Sequence, residues 1–212
     1  MKSPLAENDR DRLIEAILPD VPFDGWSMAA LRNAARRCGI DDNEAQALFP
    51  RGAPDLVAAF SRWADRRMLE KLEAARLDEL STTPRIRLAI HSRFGTLAPW
   101  REAVRSSLAV LALPPHAVLA SRPLYETVDG MWYAAGDKAT DFSFYTKRAT
   151  LAGLYAAAVV YWLDDRSEGF RDTTAFVDRR LEDLKRVGEV RARFDEFLTR
   201  FPDPFRFFRA AR

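Results

Sequence analysis

The chain has 212 residues, 48% of them hydrophobic and 30% charged, with a formal net charge of only +2. That length supports one sizeable core, or a core with a small satellite domain. The balance of charge excludes a global basic field that would recruit nucleic acid, so any membrane attraction must come from a local patch. The single cysteine, Cys38, excludes a disulfide framework within one chain and any CxxC metal site, and fits a reducing compartment. No apolar run is long enough to span a bilayer. Glu7, Asp9, Asp11 and Glu15 argue against a secretory signal or a mitochondrial presequence, so the expected location is cytoplasmic and bacterial.

Helical periodicity dominates and alternating strands are absent, so the chain reads as all-α, with prolines, Pro123 among them, falling mainly at the breaks between roughly nine or ten helices. A first helix is expected from about Asp9 to Leu18, with Leu13, Ile14, Ile17 and Leu18 on its apolar face. Ser27 is a candidate N-cap for a helix to about Arg37; Cys38-Gly39-Ile40 forms a turn, and Asp41-Asp42 caps a short helix ending near Phe49. Pro54 stands in the first turn of a long helix that carries Leu56, Phe60, Trp63, Leu69 and Leu72 inward to about Leu77. Shorter helices follow near Pro84 to Ala98, Trp100 to Ala112 and Pro115 to Ala134. A long helix from the Thr140-Asp141 cap to about Asp164 is dense in Ala and Gly, and another spans about Phe170 to Val187. Three units are expected: residues 1–50, 51–188 and a distinct tail over 189–212.

Residues from Ser27 to Phe49 have the outline of a helix-turn-helix, and together with Pro50-Arg51-Gly52 and Leu56 they resemble the N-terminal unit of TetR-type regulators. The helix that would enter the major groove reads Asp41-Asp42-Asn43-Glu44-Ala45-Gln46-Ala47-Leu48, with three acids and no Lys or Arg. Phosphate neutralisation supplies most non-specific affinity, so this helix repels a duplex and nucleic acid is not an expected partner. A TetR-type ligand-responsive transcriptional regulator remains the alternative function.

The most distinctive segment contains Asp129-Gly130-Met131-Trp132, Ala135-Gly136-Asp137, Thr140-Asp141-Phe142 and Phe144-Tyr145-Thr146-Lys147-Arg148. It resembles the signature of the Coq-nine family, the lipid-binding accessory proteins of coenzyme Q synthesis, over most of residues 25 to 187. Phe144 stands where some members have Trp, and Lys147 where some have Arg. The resemblance implies a TetR-like helical bundle, an N-terminal helix-turn-helix-like unit joined to a larger ligand-binding and dimerisation bundle. It implies a homodimer through the last two long helices. It also implies a bound isoprenoid, quinone or phospholipid with no catalytic cofactor, and a di-iron partner, the demethoxyubiquinone hydroxylase. Met131, Trp132, Asp141, Phe144 and Tyr145 match family positions associated with that partner surface. From spacing alone, Trp132 and Phe144 read as core, and Asp137 and Asp141 as helix caps.

An isoprenoid tail requires a long apolar cavity. Candidate walls are Phe60, Leu88, Phe94, Leu108, Leu111, Val118, Leu119, Leu124, Met131, Leu154 and Tyr155. In the tail, Phe194, Phe197, Leu198 and Phe201 fall at helical spacing, and Phe205, Phe207 and Phe208 alternate with Arg206 and Arg209. This pattern is that of an interfacial membrane foot, with Phe201, Phe205, Phe207, Phe208, Arg206 and Arg209 as its contacts, and it places the protein peripherally on the inner membrane. The same segment could instead fold back over the lipid cavity. His91 and His116 lie on different segments without ligand-spaced carboxylates, and no nucleophile, phosphate-loop or metalloprotease motif is present; no catalytic or metal residues are assigned.

Overall fold

The computed structural model describes the backbone of residues 4–75, 77–113, 117–137 and 142–200, and the side chains of these except at 4–6, 117–120, 142 and 187–200. Among the described residues every regular element is helical. Three helices, α1 (Pro4–Ile17), α3 (Met28–Cys38) and α4 (Asp42–Leu48), form the N-terminal unit, with a one-turn helix α2 (Val21–Asp24) between the first two. Ser27 Oγ accepts from the Ala30 amide at 3.1 Å and fixes the start of α3. Gly39 ends it in the left-handed region, φ 67°, where a side chain would be strained. Asp41 then accepts from the Asn43 and Glu44 amides and starts α4. Sequence periodicity does not anticipate α2, because Val21-Pro22-Phe23-Asp24 makes a single turn, too short to show a helical repeat.

The long helix α5 (Ala53–Glu73) opens with Pro54 in its first turn and buries Leu56, Phe60, Trp63, Ala64, Met68 and Leu72. Around it pack α1, α6 (Thr82–Leu97), α7 (Arg101–Leu111) and α8 (Ala117–Ala134). Outside these lie α9 (Phe142–Asp164), against α8, and α10 (Arg171–Arg200), against α9 and α6. The N-terminal unit is fastened to this bundle rather than swinging free of it. Trp26 packs tilted against Phe60 with ring centroids 5.2 Å apart and donates to the Ala103 carbonyl of α7 at 3.2 Å. Trp63 donates to Glu15 at 2.9 Å, and Arg66 pairs with Asp11 and Glu7. Asp165 closes the bend between α9 and α10. Although burial works against its charge, hydrogen bonds from Ser167 and Thr173 hold its carboxyl down to about 2.

Two sequence expectations are revised. Pro123 does not separate helices but sits inside α8, where its missing N–H interrupts the backbone ladder without ending the helix. The last helix does not stop near Val187 but continues through Gly188 to Arg200, so its backbone crosses the expected 188/189 boundary. A lone glycine costs a helix only about 1 kcal/mol, too little to end it. Phe194, Phe197 and Leu198 fall on this helix with side chains outside the described residues. Phe201, Phe205, Arg206, Phe207, Phe208 and Arg209 lie outside the described residues altogether, as does the Thr140-Asp141 cap.

Candidate functional site

A cavity of about 380 Å³ lies between α5, α6, α7, α8 and α9. Five of the expected wall residues line it: Phe60, Leu108, Leu111, Leu124 and Tyr155. Phe94 stands one layer behind, its ring stacked on Tyr155 at 5.8 Å and on Trp162 at 5.2 Å. Leu88, Met131 and Leu154 are not among the walls; Met131 and Leu154 are buried in the core and Leu88 packs against it. Val118 and Leu119 lie on α8, with side chains outside the described residues. Walls the sequence did not single out include Val57, Leu97, Val104, Val159 and Trp162. All are apolar residues whose type is equally at home in ordinary core.

One side of this apolar space is polar. Ser61 and Asp65 share a face of α5, Arg93 comes from α6, Thr127 from α8 and Tyr155 from α9. Arg93 is buried and donates through Nε to Asp65 Oδ1 at 2.8 Å, through Nη1 to Tyr155 Oη at 2.8 Å, and through Nη2 to Ser61 Oγ at 2.9 Å and Thr127 Oγ1 at 3.2 Å. Thr127 in turn donates to Asp65 Oδ2 at 3.1 Å. Burial opposes the Arg93 charge, but Asp65 and the Tyr155 oxygen outweigh it and raise its pKa. Burial and the nearby Asp65 also raise the Tyr155 hydroxyl, against the pull of Arg93, so it keeps its proton. A buried charge is tolerated only when paired and hydrogen-bonded, and here the Arg93–Asp65 pair leaves no net charge. Arg93, Asp65, Ser61 and Thr127 were not read from the sequence as site residues. The one signal is that Arg93 occupies the buried stripe of α6 formed by Ile86, Ala89, Ile90, Phe94 and Leu97.

The second candidate surface surrounds the end of α8 and the start of α9. Arg148 is buried and pairs with Asp129 at 2.6 Å and Asp137 at 3.2 Å, while Lys147 pairs with Asp137 at 2.8 Å. Asp137 thus serves as an ion-pair partner between the helices. Gly136 makes the turn at φ 81°, and a side chain there would crowd Arg85, whose Nη1 donates to the Ala135 carbonyl. Of the five expected partner residues, Tyr145 is 67% exposed and meets Phe144 edge-on at 5.2 Å. Phe144 is half-buried beneath the Arg148 guanidinium, 3.4 Å from its ring centroid. Trp132 is half-buried and donates to the Lys147 carbonyl. Met131 is fully buried, so it can support such a surface only from beneath. Asp141 lies outside the described residues. Tyr133, 79% exposed, adds an aromatic to this face that the expected set left out.

The exposed positions of α4 include Asp42 and Glu44 and no cation. Among the described residues, no group of three or more His, Cys, Asp or Glu is placed to hold a metal ion, and no helix is long and apolar enough to cross a membrane.

Residues 117–188 match the family model described as COQ9. The chain is similar to "Ubiquinone biosynthesis protein COQ9, mitochondrial" of Rattus norvegicus, 31% identical over 191 residues, which is 87% of this chain and 61% of that protein. The protein of the same name from Homo sapiens is 30% identical over 191 residues, 87% of this chain and 60% of that protein. The chain therefore spans about three-fifths of the length of these curated relatives. Among solved structures, the TetR transcriptional regulator from Nitrosomonas europaea ATCC 19718 superposes with a TM-score of 0.66 at 24% identity, covering 82% of this chain and 97% of that one. The fold is accordingly the TetR-like all-α bundle expected from the sequence.

Proposed function

The chain is a relative of the COQ9 proteins, with the family's own region at residues 117–188, and on that premise we propose that it is a non-catalytic, lipid-binding accessory protein of ubiquinone biosynthesis. The observation that carries this reading is the cavity between α5 and α9, about 380 Å³ with mostly apolar walls and a few polar groups gathered on one side. Such a composition is that of a site for an amphipathic small molecule. In this reading the ligand is an isoprenoid quinone intermediate, presented to the demethoxyubiquinone hydroxylase. The hydroxylase docks on the face that carries Tyr145, Phe144 and Tyr133, since aromatic residues fill interface centres. Two copies associate through α9 and α10, where Ala149, Gly153, Ala157 and Val160 form an exposed stripe of small apolar residues on α9. The Phe- and Arg-rich stretch over 201–212 meets the membrane surface.

The test is to purify the chain from a quinone-producing host, extract it with organic solvent and identify the extract by mass spectrometry. An isoprenoid quinone or its precursor, in near-stoichiometric amount, is the expected result. A lipid-free chain from the same host contradicts the presentation mechanism and leaves an adaptor acting through protein contacts alone.

A further inference from the structure

The proton of the Tyr155 hydroxyl is left over from the polar cluster. A phenol both donates and accepts. Tyr155 Oη accepts from Arg93 Nη1 at 2.8 Å, and among the described residues no acceptor for its own hydrogen is present. The other oxygens of the cluster are engaged: Asp65 Oδ1 and Oδ2 accept from Arg93 and Thr127, and the Ser61 and Thr127 hydroxyls lie 3.5 Å apart. Tyr155 is buried, lines the cavity, and has its ring fixed by stacking on Phe94. Buried donors are normally satisfied, so an unspent one on the wall of an apolar cavity marks the place of a ligand acceptor.

We propose that Tyr155 is the head-group donor of this cavity, giving its hydrogen bond to an oxygen of an uncharged amphipathic ligand such as a ring carbonyl. This rests on the reading that the cavity holds a lipid, and it adds the residue that receives the head group. The acceptor is neutral because the Arg93–Asp65 pair is already balanced; a carboxylate or phosphate head would bring in a buried charge with no counter-ion. Arg93 acts through Tyr155: donation to Oη polarises the hydroxyl and aims its hydrogen away from the guanidinium.

The test is a cycle of two proteins and two ligands, read by isothermal titration calorimetry. Wild type and Tyr155→Phe are each titrated with a benzoquinone bearing a ten-carbon alkyl chain and with decylbenzene, which lacks the ring oxygens. Tyr155→Phe keeps the ring and its stacking, and the change of ligand leaves the fold untouched. The ratio of quinone affinity to decylbenzene affinity is expected to be roughly 3- to 10-fold higher in wild type than in Tyr155→Phe, the range of one net hydrogen bond. Decylbenzene, which has no ring oxygen to accept a hydrogen bond, is expected to bind the two proteins alike. Decanoate is expected to bind wild type more weakly than the quinone. A ratio that is the same in wild type and Tyr155→Phe overturns the assignment of Tyr155. Tighter binding of decanoate overturns the neutral head group. If wild type binds none of the three, the lipid-cavity reading itself fails.

Discussion

Replacing Arg93 by Met is expected to lower the stability of the folded chain by about 3–5 kcal/mol, because it leaves the Asp65 carboxylate enclosed without its cation. Thermal unfolding followed by circular dichroism should show the midpoint falling by about 10 °C or more at neutral pH. The loss belongs to the orphaned charge more than to the ion pair itself. The double variant Arg93→Met with Asp65→Leu should therefore recover most of it, since an apolar pair of similar volume replaces a buried ion pair at little cost. A single variant as stable as the wild type would mean that water reaches Asp65 and that this side of the cavity is wet. A double variant no better than the single would locate the loss in the Tyr155, Ser61 and Thr127 contacts instead.

Filling the cavity should separate binding from folding. Ser107, on α7, lines the space, is buried, and spends its hydroxyl on the Ala103 carbonyl of its own helix at 2.7 Å. Ser107→Trp removes no contact between helices and sends an apolar ring into the room a ligand would use. Excluding about 100 Å² of ligand surface from burial costs about 2–3 kcal/mol, roughly a 30- to 150-fold weaker Kd for the alkylated benzoquinone. The melting temperature should hold or rise, because a void has been filled. Unchanged affinity in a folded Ser107→Trp chain would place the quinone elsewhere on the molecule.

Much of the fold was legible because its determinants are local. Ser27, Asp41 and Pro54 mark helix starts by chemistry that needs no tertiary partner, and each stands where it was expected. The stripe from Leu13 to Leu18 is buried as its spacing requires. Local signals failed where helical continuity outweighed a breaker: Pro123 within α8, and Gly188 within α10. For the site, an apolar wall and an apolar core use the same residues. Periodicity thus separates inside from outside, but cannot tell Phe60 at the cavity from Met131 in the core. The polar side was hidden for another reason. Asp65, Arg93, Thr127 and Tyr155 are far apart in sequence and meet only when four helices pack. Arg93 alone carried a local clue, a charge at i+3 from Ile90 and i−4 from Leu97 on a face otherwise apolar.

The most direct measurement of the central claim is photoaffinity labelling of the full chain with a benzoquinone whose alkyl tail carries a diazirine, with adducts mapped by peptide mass spectrometry. A ligand held between α5 and α9 places adducts within residues 104–111 of α7 and 155–162 of α9, and Ser107→Trp removes them. Adducts confined to other segments, or unchanged in Ser107→Trp, would contradict the cavity as the lipid site.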